Sequence, residues 1–425
     1  MRYLNNTYRA PNGRPNAVVL ASGTPLTNSV GELFNIQKIL QPDLMRENNL
    51  HRFDAWASSF GEIGEIREPK PAGIGYKMST AFRRFINVPE LKRLAYQVLD
   101  VVSSEDVGLT RPDLETGAPI NVRVAQNEYV TAYQDIIQQR ADDVERNPKE
   151  AEYRGIRDNL LRLVSDGRKI AIDQRLVGDY ADTEEQPDSK VAQAADKIVE
   201  IYHKTKKEKG VQLVFADLGV PKRYSTFKEK TEAELEQMSE EQLSEYQLAM
   251  VEASETKWNT YDGMKEALIK RGIPADEIAF IQDAEHSNPE TKKKRLRELF
   301  RKTNKGTVRV LMGTTKKLGT GANVQERVKA VHHLDVWWNY SSYAQRNARG
   351  WRTGNTYKEI SIYNYVTENT VDQFVWNKVF EKGRILTRLM SKDMVEREIE
   401  DLTPDQITAR QAASIGDPLR EREFD

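Results

Sequence analysis

The chain has 425 residues, 38% of them hydrophobic and 30% charged, with a formal net charge of −1; by length alone it divides into about three domains. It has no cysteine, which excludes disulfides, thiolate catalysis and cysteine-held zinc and makes a reducing cytoplasm the expected setting. No apolar run reaches the ~18–20 residues of a membrane span, so no membrane partner is expected.

Along the chain, "AVVLAS" (17–22) is a short apolar run before Gly23 and Pro25 and reads as a buried strand. "SVGELFNIQKIL" follows, with Leu33, Ile36, Ile39 and Leu40 at helical spacing. One strand and one helix bury no core alone, so residues 1–40 read as the tail of a domain whose remaining sheet lies upstream. Residues 41–185 read as a mostly helical region, with helices over 89–100 and around 152–165 and a short strand near 121–126. "DTEEQPDSK" (182–190) is polar, holds a proline and reads as a linker.

From 190 the rhythm is regular. A helix over 190–206 leads to the strand "VQLVFA" (211–216), and a helix near 257–271 to "EIAFIQ" (277–282). Asn288-Pro289 caps a basic helix whose Leu296, Leu299 and Phe300 face a core. The strands "VRVLMG" (308–313) and "AVHHLD" (330–335) follow, then an arginine-rich helix, the strand "EISIYNYVT" and a long helix carrying Val371, Phe374, Val375 and Val379. Five strands separated mostly by helices predict an α/β fold, a parallel sheet with helices on both faces. An acidic, helical insertion over 228–256 interrupts it, and residues 393–425 form an extension. Residues 229–255 hold nine glutamates and one lysine, whereas 292–317 hold eleven lysines or arginines and one glutamate. Such separated blocks suit a polyanion site or two solvated helix faces. The pair His332-His333 lies in an apolar run, where a structural role is expected and metal binding is not.

Ligands of open α/β sheets bind beyond the carboxyl ends of the strands, and three segments fall there. "GTTKKLGTGAN" (313–323) offers Gly319 and Gly321 for close backbone approach, with hydroxyls and lysines beside them. "LDVWWN" (334–339) places an acid and two tryptophans at a strand end. "SSYAQRNARGWRTGN" (341–355) carries Arg346, Arg349 and Arg352 with no acidic residue among them. At that spacing the three share roughly one helical face, a cluster suited to an anion.

In order, these segments resemble the second motor lobe of superfamily 2 nucleic-acid translocases of the Swi/Snf type. "TTKKLGTGANV" (314–324) resembles motif V, "DVWWN" the D-x-x-W-N element, and "QRNARGWRTGN" (345–355) motif VI, Q-x-x-G-R-x-x-R-x-G-Q. "SGTPLTNSVGELFNIQKILQP" (22–42) is similar to motif III and "QLVFADLG" to motif IV. A nearer resemblance is to the large phage- and plasmid-borne methyltransferase-helicase proteins of the anti-restriction defence type. It is carried by "FRRFINVPEL" (82–91), "DGRKIAIDQRLV" (166–177), "RGIPADEIAFIQDA" (271–284) and "ASIGDPL" (413–419).

The resemblance implies a RecA-like second lobe over 186–392, following the motif III tail of a first RecA-like lobe. It implies ATP with Mg2+ as cofactor, bound mainly by that first lobe. Arg349 and Arg352 match the motif VI arginines that reach the γ-phosphate, and Gln345 its glutamine, with Gly319 and Gly321 also on the ATP side. Thr315, Lys316 and Lys317 match the motif V position that holds DNA. Gly23, Thr24 and Pro25 match the motif III residues that couple nucleotide state to DNA grip. Ala348 stands where the motif has glycine and Asn355 where it has glutamine. Arg346 matches no family arginine and is expected at the surface.

The implied partners are double-stranded DNA, a first RecA-like lobe in cis or in trans, and an associated DNA methyltransferase. There is no G-x-x-x-x-G-K-(S/T) loop, and Asp276-Glu277 precedes a strand where a magnesium-binding D-E box follows one. No N-P-P-(F/Y) methyltransferase motif is present either. The chain alone is therefore expected to be inactive as an ATPase. The competing expectation is a remnant of such a motor that binds DNA or protein without catalysis.

Overall fold

In a computed structural model the described residues are 18–27, 30–69, 76–102, 108–147, 150–221, 223, 256–319, 321–391 and 398–400. The acidic stretch 229–255 and "ASIGDPL" lie outside them. Three helices come first: α1 (Gly31–Leu40), α2 (Pro42–Glu47) and α3 (Phe53–Phe60). They pack around the buried Trp56, whose Nε1 donates to Gln37 Oε1 at 3.0 Å. The long strands β1 (Gly61–Pro69) and β2 (Tyr76–Ile86) pair antiparallel, and α4 (Val88–Ala95) follows.

Next come β3 (Asp113–Leu114), β4 (Ile120–Val124) and α5 (Glu128–Arg146). The helix expected around 152–165 begins later. Arg154 and Gly155, both at positive φ, close a two-residue turn between β5 (Glu152–Tyr153) and β6 (Ile156–Arg157). That conformation suits a hairpin and forbids a helix. α6 (Leu160–Ile172) starts only at the Asn159 cap, whose side chain accepts from Arg162 N.

From α7 (Lys190–Lys204) the alternation holds: β7 (Val211–Phe215), α8 (Thr260–Lys270), β8 (Ile278–Phe280), α9 (Pro289–Asn304) and β9 (Val310–Gly313). The short α10 (Thr315–Leu318), β10 (Val328–His333), α11 (Tyr340–Asn347), β11 (Glu359–Thr367) and α12 (Val371–Met390) complete it. Last, β12 (Glu398–Glu400) pairs with β2. The five expected strands all form, and every pairing between them is parallel.

The seven-stranded sheet runs β8–β9–β7–β10–β11, and β11 is flanked on its outer side by both β3 and β4. Two strands from the expected inter-lobe region thus belong to the lobe's sheet, so the sheet reaches beyond the expected boundary at 186. β7 is buried along its whole length, as a central parallel strand must be with both faces covered. α7 and α8 cover one face through Val191, Ile198 and Leu268. On the other face lie Leu296, Leu299 and Phe300 of α9, as expected, with Leu318 of α10. Each of the fully buried ones, Val191, Ile198, Leu268 and Leu318, contributes about 1.5–3 kcal/mol.

"AVVLAS" is not a buried strand: residues 18–22 are irregular, with Val19 90% exposed. A strand requires a neighbour to satisfy its N–H and C=O groups, and no described strand pairs with this segment. The helix after it is anchored instead to the end of α12, where Ile385, Leu386 and Leu389 join the cluster around Leu33 and Trp56.

Candidate functional site

The chain runs from β7 outward to β8 and β9, then returns to β10 on the other side of β7. The switch point is therefore the β7–β10 boundary, the place where such sheets open a crevice. Just past β7 lies Asp217, just past β9 Thr315, and just past β10 Asp335, all buried.

Between them sits Arg346 of α11, 0% exposed. Its guanidinium forms ion pairs with Asp217 and with Asp335 Oδ1, the latter at 3.0 Å. It also donates to Thr315 Oγ1 at 2.6 Å and to the Asp335 carbonyl at 2.5 Å. Thr315 donates both its N–H and its hydroxyl to Asp217, at 2.6 and 2.5 Å. The second oxygen of Asp335 accepts from the N–H groups of Asp217 and Leu218, both at 2.7 Å. Burial raises the Asp335 carboxyl above its ordinary value, and the Arg346 charge acts against that rise. Burial disfavours the Arg346 charge, but Asp217 and Asp335 outweigh it and raise its pKa.

The expectation that Arg346 lies at the surface is thus overturned. The helix stops at Asn347, and a turn over Ala348–Gly350 redirects the chain. The three arginines consequently share no helical face. Gly350 makes the turn possible: a Cβ there would lie 2.6 Å from Val328 Cγ1 and 2.9 Å from Val331 Cγ2.

Arg349 follows the turn, half-buried, and donates to the carbonyls of Gly319 at 2.9 Å and Ala322 at 3.2 Å. It therefore leans on the glycine loop that the sequence marks for close approach. It forms no ion pair among the described residues, and burial together with the charge of Arg352 lowers its pKa. Arg352 is exposed and also forms no ion pair among them. The segment beyond is pinned by Trp351, which donates to the Pro112 carbonyl at 2.7 Å beneath the Arg111 guanidinium. Asn355, at the motif's glutamine position, donates to the Val328 and Gly350 carbonyls and braces the same turn.

Of the remaining expected residues, Gln345 is half-buried on α11 and Gly321 takes a positive φ in open space. Lys316 is exposed, while Lys317 pairs with Glu285 at 2.6 Å. Thr315, expected to hold DNA, has its hydroxyl turned inward to Asp217 and Arg346. Gly23, Thr24 and Pro25 lie in the irregular segment before α1, where Thr24 N bonds locally to Ser22 Oγ. His332 has the structural role expected: its Nε2 donates to Gln212 Oε1 and its Nδ1 accepts from Tyr365 OH, each at 3.0 Å. Gln212 orients the pair, because its own nitrogen donates to the Ile198 carbonyl.

A second buried layer supports the first. Lys190 donates to Asp372 and to the Leu334 carbonyl, and Arg168 to the Val336 carbonyl. Sequence reasoning passed over Asp217, Arg168, Lys190 and Asp372. For Asp217 the signal was available, since an acid directly after a wholly apolar run sits at a strand's carboxyl end.

Residues 264–354 match the helicase conserved C-terminal domain, and residues 3–102 a probable helicase domain. The defense against restriction protein B of Escherichia phage P1 is 28% identical over 86 residues, 20% of this chain and 4% of that protein's length. Among solved structures, the C-terminal part of the Fun30 ATPase domain is 12% identical, with a TM-score of 0.36 over 64% of this chain and 96% of its own. The DUF1998 helicase MrfA, bound to DNA and AMPPNP, is 16% identical, with a TM-score of 0.26 over 45% of this chain and 20% of its own. Among the described residues no helix is long and apolar enough to cross a membrane. Residues 264–354, the stretch similar to the helicase conserved C-terminal domain, thus hold both the glycine loop and the arginine segment.

Proposed function

We propose that the chain is the C-terminal part of an ATP-dependent double-stranded DNA translocase of the Swi/Snf type, complete only with a first RecA-like lobe supplied in cis or in trans. Arg349 and Arg352 reach the γ-phosphate of ATP held mainly by that first lobe. Gln345 and the glycine loop of Gly319 and Gly321 line the same side. Phosphoryl transfer spreads charge over the γ-oxygens, and an always-charged, forked guanidinium donates to it without gaining or losing a proton. Lys316 and Lys317 grip the DNA backbone, which requires charge and not base reading. Thr315 acts from beneath, by fixing the loop that carries the two lysines. Gly23, Thr24 and Pro25 transmit nucleotide state to that grip, and the assembly works in the cytoplasm beside a DNA methyltransferase.

One observation carries this reading: Arg349, leaning on the glycine loop, and its neighbour Arg352 form no ion pair among the described residues, although Arg346 three residues earlier is held by Asp217 and Asp335. Like charges left uncompensated in that way await an anion. Asp217 and Asp335 are engaged by Arg346, Thr315 and backbone amides, so they do not offer a magnesium site. The metal in this reading belongs to the first lobe. The test is to combine the chain with such a lobe and measure ATPase with and without duplex DNA. Arg352→Ala should abolish the stimulated rate; full activity in that variant removes the assignment.

A further inference from the structure

The helix α9 is set apart by its charge. Between Pro289 and Asn304 it carries seven lysines or arginines and two glutamates, in a chain whose net charge is −1. Its register is fixed. Asn288 Oδ1 accepts from Glu290 N and Thr291 N to start it, and Leu296, Leu299 and Phe300 hold it to the sheet.

What that register turns outward is a row. Lys293, Arg297, Arg301 and Lys305 recur every fourth residue, all exposed, and none forms an ion pair among the described residues. At a rise of 1.5 Å per residue, neighbours in the row are about 6 Å apart and its ends about 18 Å apart. Like charges at that spacing repel one another and oppose the helix. The neighbouring cations Lys292 and Lys302 are instead paired, with Glu285 and Glu298. The row, with the exposed Lys294 and Arg295 beside it, forms no ion pair among the described residues.

Its position adds a second observation. Glu285 holds Lys292 at the start of α9 with one oxygen, at 2.7 Å, and Lys317 of α10 with the other, at 2.6 Å. The first turn of the basic helix, one residue before Lys293, is therefore tied to the loop proposed to touch DNA. A duplex strand presents a phosphate every 3.4 Å along its axis, so a row about 18 Å long spans about five of them.

We infer that the outer row of α9 is a second contact for a nucleic-acid backbone, extending the grip of Lys316 and Lys317 along the duplex. The inference rests on the proposed DNA-binding reading and adds to it a surface that motif matching does not mark. The test uses the whole chain, a random-sequence duplex of about 30 base pairs, and binding measured from low to moderate salt. The variant is Lys293→Gln, Arg297→Gln and Arg301→Gln together. Glutamine is as good a helix former as lysine or arginine, and like-charge repulsion is relieved, so the melting temperature should hold or rise.

Each lost phosphate contact lowers the slope of log affinity against log salt by about 0.9. The triple variant should therefore lose about 2–3 in slope. A control with Lys204, Lys206 and Lys207 changed to glutamine, at the end of α7 on the other sheet face, makes the same change in net charge and should leave the slope near its original value. If the unaltered chain binds no duplex, the DNA-binding reading falls and takes this inference with it. If it binds and the triple variant keeps the slope, or the control loses as much, the row alone is refuted.

Discussion

The arginine segment has two ends that differ in one physical respect. At its inner end Arg346 lies out of water between Asp217 and Asp335, and each of those carboxylates accepts further hydrogen bonds. At its outer end Arg349 meets two carbonyl oxygens and Arg352 is exposed, and neither forms an ion pair among the described residues. The three residues have the same chemistry and sit three apart, yet one is a structural pin and two remain free to act. What separates them is where the helix stops. Gly350 lets the chain turn against Val328 and Val331, so a cluster that looks uniform in sequence is split between interior and crevice.

That division predicts opposite responses to the same truncation. The largest effect belongs to the outer end, where Arg352→Ala or Arg349→Ala in the assembled motor should lower DNA-stimulated ATPase by about 10³–10⁵-fold. Arg352 is exposed, so its truncation should move stability by no more than about 0.5 kcal/mol. Arg346→Ala should do the reverse in the isolated chain. Removing one member of a buried ion pair leaves uncompensated charge and costs about 3–5 kcal/mol, read as a lower midpoint in urea with an unchanged slope. If Arg346→Ala unfolds no more easily than Arg352→Ala, the split between the ends is not real.

A smaller effect tests the pivot itself. Gly350→Ala would place a methyl group against Val328 and Val331, and overpacking of this kind costs about 1–3 kcal/mol. Because the turn aims the outer arginines, the variant should also lose stimulated ATPase beyond what its lost stability explains. A variant that is destabilised but fully active would show that the turn houses the arginines without directing them.

How much of this could be read from the residues follows from what each signal depends on. The strands from "VQLVFA" to "EISIYNYVT" were legible because each lies inside a sheet that the same chain completes. "AVVLAS" has the same character and failed, because burial is a property of neighbours and not of a run: Val214 is 0% exposed, Val19 90%. The long α5 went unread although its signals are present. Asn127 caps it by accepting from Val130 N, and Val130, Tyr133, Ile137, Ala141 and Val144 line its buried face. The strand expected near 121–126 forms as β4, but that it and the two-residue β3 join the lobe's sheet could not be read, because that place exists only beside β11. At the site, motif matching located Arg349 and Arg352, but the fate of Arg346 depended on acids 129 and 11 residues away along the chain.

The most gradual expected effect concerns pH at the inner end. His332 and His333 on β10 are fully buried, and burial first of all depresses both, His332 from 6.5 to about 3 and His333 well below its ordinary value, with Arg346 adding to the latter. The unfolded chain takes up these protons near pH 6.5 while the folded chain refuses them. Their contribution to stability is therefore whole above pH 6.5 and is lost as pH falls below it, for His332 toward about 3. Each histidine should remove up to about 1.4 kcal/mol per pH unit once the pH is below its unfolded pKa, first visible as a falling melting temperature between pH 6.5 and 5.5. Replacing His332 with glutamine, which keeps a partner for Gln212 and Tyr365, should remove its share of the slope. The outer arginines carry no such dependence, because a guanidinium stays charged throughout this range. A flat profile would mean that water reaches β10, and the inner end would then be no more sealed than the outer one.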